Sequence, residues 1–246
     1  MNKYFFAPQQ QNEDMVSFTG NTAHHMHHVL RMRVGTEVLL CDGKSMDYTV
    51  RLETIVEKPL CLTFRLIESM PCMTEASIPI TLFQSLPKGE KMEWIIEKAI
   101  ELGVNKIVPV ITSRTVVKIK DSAKKIERYA KIAEAAASQS MRGIVPVVTP
   151  PVSIAIAISE VNSASNNELN LVAHEKEHTR TIKAVLAQTT PRPVSVWVGP
   201  EGGFDNNEIT TLENVGAQAI TLGPRILRTE TAGLVAITQT LCIWDE

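Results

Sequence analysis

The chain has 246 residues, 44% of them hydrophobic, with 25 Lys and Arg against 27 Asp and Glu. That is enough apolar material for one or two packed cores, but no run reaches the roughly 18 apolar residues of a membrane-spanning helix. Cys41, Cys61, Cys72 and Cys242 form no C-x-x-C pair, which argues against a structural zinc site or a disulfide framework. The first 14 residues hold no apolar core of signal-peptide length, so a cytosolic, reduced setting is expected.

Up to about residue 70 short alternating runs dominate. One helix is expected around Thr22–Arg33. Tyr48, Val50 and Leu52 alternate with polar neighbours, as do Leu60, Leu62, Phe64 and Leu66, and these runs read as half-buried strands. Asp42-Gly43 and Lys58-Pro59 mark turns, and the sum is a small β-barrel domain. Glu68–Glu75 lacks periodicity and reads as a linker, which places the boundary between domains 1–72 and 73–246.

Beyond it, strands and helices alternate. Ile80–Phe83 is strand-like, and Met92, Ile95, Ile96, Ala99 and Ile100 then follow helical spacing, with Gly103 suited to the position just past the helix end. A strand at Ile107–Ile111 and a helix from about Ser122 to Met141 follow, then strands at Leu169–Ala173 and Val194–Gly199. Asp205 with Glu208 three residues on predicts a capping box opening a helix that Gly216 ends. Ala217–Leu222 reads as a strand and Thr229–Trp244 as the last helix. The alternation implies an α/β domain with a mostly parallel sheet covered on both faces.

Charge is uneven along the chain. Residues 86–142 hold 12 Lys and Arg against 7 Asp and Glu, while the segments on either side are acidic. That excess fits a solvated helix face or a footprint for an anionic polymer. His24-His25-Met26-His27-His28 places His24 with His27 and His28 on one helical face, a spacing a metal would accept. No companion Cys or carboxylate pattern supports one, and no metal is expected.

The last fifth of the chain carries the chemistry. V-W-V-G-P-E-G-G-F (Val196–Phe204) and I-T-L-G-P-R-I-L-R-T-E-T-A (Ile220–Ala232) each follow a strand-like run, so both fall where α/β sheets bind ligands, with glycine letting main-chain amides approach. There is no G-x-G-x-x-G and no G-x-x-x-x-G-K-[ST], which removes the standard dinucleotide and P-loop readings.

These two motifs, the segment K-G-E-K-M-E-W-I-I-E-K-A-I-E-L-G-V-N-K-I-V-P-V-I-T-S-R-T-V-V-K and the run H-H-M-H-H-V-L-R-M-R-V-G occur in the order in which the chain resembles the bacterial small-subunit ribosomal RNA uridine-N3 methyltransferases of the SPOUT superfamily. The resemblance covers nearly the whole chain. It implies a PUA-like RNA-binding barrel, then an α/β domain with a parallel sheet and a C-terminal trefoil knot, S-adenosylmethionine as methyl donor, and a homodimer acting on ribosomal RNA or the small ribosomal subunit. The cofactor would lie against the strand end at Val172 and Ala173, the loop Gly199, Pro200, Glu201, Gly202 and Gly203, and the segment holding Leu222, Gly223, Leu227, Arg228 and Thr229. Leu222 and Leu227 would be its apolar walls.

Uridine N3 carries a proton, so methylation there requires that proton to leave and the developing charge to be stabilised. Arg228 with Glu230 would meet both needs, and Glu201 is the competing carboxylate. Arg228 and Glu230 would equally suit a structural ion pair at the start of the last helix. RNA contacts are expected at His24, Arg31, Arg33, Lys88, Arg114 and Arg142. Arg142 belongs to Gln139-Ser140-Met141-Arg142, which resembles a family run commonly preceded by glutamate, where this chain has Ser138. Two other functions remain open: methylation of a ribose 2′-hydroxyl or another base position, and a catalytically silent RNA-binding assembly factor.

Overall fold

The computed structural model describes residues 3–116, 122–163 and 167–245. Val117 and Lys118, the end of the motif that begins at Lys88, lie outside the described residues. Contacts divide the chain into two compact units, Met1–Glu75 with Ala137–Val145 and Ala76–Ala136 with Pro146–Glu246.

The first unit is built on one sheet of β1 (Lys3–Phe5), β2 (Gln11–Asn12), β3 (Met15–Thr19), β4 (Glu37–Cys41), β5 (Met46–Glu57) and β6 (Leu60–Pro71). The order is β1-β4-β5-β6-β3-β2, antiparallel except for β1 beside β4. Alternation places Val16, Phe18, Leu40, Val50, Leu52, Leu62 and Phe64 in one core, closed by Ala23 and Met26. The expected linker does not begin at Glu68. Glu68–Pro71 pairs with Met46–Thr49 as the end of β6, because edge-exposed strand residues need no apolar alternation. The expected helix at Thr22–Arg33 is shorter: α1 (Gly20–His24) runs into a π-turn over His25–Val29, and Arg31 takes φ 55°, which a helix does not allow.

In the second unit every sheet pairing is parallel. β7 (Ile80–Ser85), β8 (Lys106–Ile111), β9 (Val147–Val148), β10 (Val152–Ser153), β11 (Leu169–Ala173), β12 (Val194–Val198) and β13 (Gln218–Ile220) form one sheet. Its order is β10-β8-β7-β12-β11-β13, with β9 also on β8. The helices are α2 (Lys91–Glu101), α3 (Ser122–Gln139), α4 (Ile154–Ser163), α5 (Ile182–Leu186), α6 (Asn206–Asn214) and α7 (Thr229–Trp244).

Local sequence accounts for the principal ends. Gly103 takes φ 106° just past α2 and Gly216 φ 88° just past α6. The capping box of Asp205 and Glu208 is formed. Phe83 and Trp197, opposite each other on β7 and β12, stack at 3.9 Å and 6°. On the other face α7 turns small residues to the sheet, and a Cβ on Gly233 would lie 3.2 Å from Leu82 Cδ1, so this glycine sets how closely helix and strand approach. Because all these strands run one way, the loops after β7, β11, β12 and β13 gather at one edge.

Candidate active site

The glycine loop leaves β12 at Val198 and returns on itself. Gly203 N donates to Pro200 O at 2.9 Å, and Gly203 takes φ 67°. A Cβ on Gly199 would lie 2.9 Å from Phe204 N and 3.0 Å from Gly203 C. Lacking a Cβ, Gly199 lets its own loop fold back against it. Arg114 braces this loop from the end of β8, donating from Nη1 to Gly202 O at 2.6 Å. Glu208 ties in the start of α6, accepting from Asp205 N at 2.8 Å and Ser113 N at 2.7 Å.

Thr229 joins the elements beneath. Its buried hydroxyl donates to Gly199 O at 2.6 Å and accepts from Gln84 Nε2 at 2.9 Å, so one side chain fixes the end of β7, the glycine loop and the first residue of α7. Between β13 and α7, Gly223 takes φ 116° and Leu222 and Leu227 are half-buried. The amides of Arg225, Ile226 and Leu227 donate to no other described residue. Open main-chain donors beside half-buried leucines suit a heterocycle recognised without charged side chains, so these residues fit the expected cofactor. Val172 is fully buried in the core, while Ala173, the last residue of β11, is half-buried.

A cluster of charges stands beside the cradle. Lys91 Nζ lies 3.3 Å from Glu201 Oε1 and 3.4 Å from Glu230 Oε2. Glu201 Oε1 also accepts from Lys88 N at 3.1 Å. Burial pushes the Glu201 carboxyl up, but its own amide, that of Lys88 and the Lys91 ammonium outweigh it and hold the group below the ordinary 4.5. Arg228 is exposed and makes no ion pair among the described residues, so the structural pair with Glu230 that its sequence position suggested is not formed.

The expected RNA contacts divide. His24, Arg31 and Arg33 are exposed in the first unit, with His24 packed on His28 at 4.6 Å between centroids. Lys88 and Arg114 are exposed in the second. Arg142 is corrected: its side chain is 2% exposed and pairs with Glu75 at 2.6 Å, so it cannot reach a phosphate. Glu75, half-buried, also accepts from Gly143 N at 2.7 Å and Ile144 N at 3.1 Å and so anchors residues 137–145. Ser138 donates to Lys3 O in the same unit, and Lys3, itself buried, pairs with Asp47 at 2.7 Å.

Three residues escape the sequence reading: Gln84, Glu75 and Lys91. A polar Gln84 inside the apolar run of β7 was a signal of a buried partner. Lys91 was another, because a cation at the first residue of a helix opposes the helix dipole unless something offsets it.

A parallel sheet with a glycine cradle and clustered charges at its carboxyl edge agrees with what comparison finds: residues 74–241 match the RNA methyltransferase domain, and residues 18–64 the RNA methyltransferase PUA domain. The class is thus an RNA methyltransferase domain preceded by a PUA domain. Ribosomal RNA small subunit methyltransferase E of Bacillus subtilis is 33% identical over 246 residues, covering 97% of this chain and 95% of its own. The Synechocystis protein of the same name is 33% identical over 234 residues, 95% of this chain and 75% of its own. The crystal structure of the Neisseria gonorrhoeae protein of that name, bound to S-adenosyl methionine, superposes with TM-score 0.86 at 31% identity, covering 99% of this chain and 98% of that one. The chain belongs to the ribosomal RNA small subunit methyltransferase E family.

Proposed function

We propose that this protein methylates one uridine of small-subunit ribosomal RNA at N3, with S-adenosylmethionine as donor. The observation that carries the reading is the juxtaposition, at one sheet edge, of an open main-chain cradle with Glu230, Glu201, Lys91 and Arg228. Family membership and the bound cofactor in the Neisseria structure support the donor. A trefoil knot through the last loops, barrel closure of the first unit, a domain boundary near residue 72 and a homodimer belong to the same proposal.

When bound, the cofactor supplies a methyl group on a sulfonium, already a good leaving group. Main chain from Gly199–Gly203 and Leu222–Thr229 would hold it, with Leu222 and Leu227 as apolar walls. The harder task falls on the acceptor side. Glu230 takes the N3 proton, and Arg228, exposed and without an ion pair among the described residues, offsets the charge that develops on the uracil carbonyls. Glu230 is preferred to Glu201 because the Glu201 carboxylate already accepts two main-chain amides and an ammonium, which lowers its appetite for a proton. Arg31, Arg33 and Lys88 would contact RNA phosphates.

The test is mass spectrometry of nucleosides from small subunits incubated with the purified protein and S-adenosylmethionine. We expect 3-methyluridine. A 2′-O-methylated product or another methylated base would replace this chemistry, and tight cofactor binding without any product would favour an assembly factor.

A further inference from the structure

Lys91 is badly placed for helix stability. It is the first residue of α2, where the macrodipole favours carboxylates, and Glu93 already fills that role in the first turn. Its ammonium nevertheless reaches across to two other elements, Glu201 on the glycine loop and Glu230 at the start of α7. The charged groups on the segments it joins are Lys88, Glu90 and Glu93 on its own, Glu201 on the glycine loop with Asp205 at the cap of α6, and Arg228 with Glu230 at the start of α7. Among the described residues only Glu201 and Glu230 pair with it, since Glu93 goes to Arg128 and Arg114 lies 3.7 Å from Asp205.

We infer that Lys91 is a positioning residue for the proton transfer: anchored by Glu201, it holds the Glu230 carboxylate aimed until the uridine arrives. This rests on the reading of Glu230 as the base. In the step, the N3–H bond breaks and its proton forms an O–H bond on Glu230. The N3 electron pair takes the methyl group, the sulfur keeps the electrons of the broken C–S bond, and Glu230 later returns its proton to solvent. Without Lys91, the two carboxylates that its ammonium joins, at 3.3 and 3.4 Å, lose the cation they share. Like charges cannot both ionise as readily, so one holds a proton to higher pH.

The experiment is the pH profile of the single-turnover methylation rate on small subunits for wild type, Lys91→Met and Lys91→Arg, with S-adenosylmethionine affinity by calorimetry and melting temperature for each. Lys91→Met is expected to move the rising limb up by about one pH unit, the low end of the effect of a neighbouring charge because the group is partly exposed. That is about a tenfold loss below the limb and little above it. Lys91→Arg should restore the profile, and cofactor affinity and melting should stay at wild-type values. An unmoved limb would overturn the inference, as would an equal loss at every pH that Arg does not rescue, since that is the mark of a structural tie. Absence of 3-methyluridine with the wild-type protein would overturn both this inference and the reading beneath it, and it is seen before any variant is compared.

Discussion

Replacing each carboxylate of the cluster with its amide separates base from anchor. Glu230→Gln keeps the volume and leaves an oxygen for Lys91, 3.4 Å away, but removes the proposed proton acceptor. Loss of a general base costs about 10² to 10⁴ fold. Glu201→Gln keeps an oxygen for Lys88 N and loses only part of a half-exposed ion pair with Lys91, an interaction of small worth, so its rate should fall less than about tenfold. The assay is rapid-quench single turnover with labelled S-adenosylmethionine and small subunits from neutral to alkaline pH. The Glu230→Gln defect should shrink as pH rises, because a uridine that has ionised in solution no longer needs the protein's base, whereas Arg228→Ala should remain slow because the charge it offsets is still there. Equal losses in the two glutamine variants would refute the division of roles. Wild-type rates in both would mean that solvent removes the proton while the protein only aligns the reactants.

Gly199→Ala places a Cβ against Phe204 N, so the variant should melt lower and bind S-adenosylmethionine more weakly; lost affinity with unchanged melting would mean that the glycine makes room for ligand instead. Glu75→Gln leaves the Arg142 guanidinium buried without its countercharge and should cost about 3 kcal/mol in urea unfolding. Burial raises the Glu75 carboxyl, but Arg142 and the amides of Gly143 and Ile144 hold it below 4.5. Its contribution is therefore present above pH 4.5, is lost as pH falls through the depressed value, and should vanish from the acid-denaturation curve of the variant. Arg31→Ala and Arg33→Ala should each flatten the salt dependence of RNA binding by about 0.7 to 0.9 per lost phosphate contact, while Arg142→Ala should lower melting and leave that slope alone.

What the sequence disclosed followed from periodicity and punctuation. The α7 range Thr229–Trp244, the capping box at Asp205 and the glycine ends of α2 and α6 were all legible, because local geometry alone sets them. The helices α4 and α5 were not. Ile154-Ala155-Ile156-Ala157-Ile158 alternates with period two, and only Ala157 and Ile158 of that run are buried, so tertiary packing overrides a strand-like pattern. Arg142 misled because a basic residue in a family-like run suggests RNA, whereas the partner that buries it, Glu75, stands 67 positions away in what reads as a linker. Long-range pairing of this kind leaves no local trace.

The same limit explains why the site motifs could be found but not apportioned. In R-T-E-T-A the threonine spends its hydroxyl on Gly199 O and Gln84, the arginine makes no ion pair among the described residues, and the glutamate meets a lysine from another helix. Gly199 and Arg114 likewise shape the loop. Residues that fix geometry thus alternate along the chain with residues that present charge. Rate depends on dipoles and charges already aimed before the reaction begins. Thr229, between Arg228 and Glu230, is fixed by its bonds to Gly199 O and Gln84, so on the proposed site Thr229→Val, which keeps shape but cannot make either bond, should impair cofactor binding and transfer together although Thr229 itself takes no part in the chemistry.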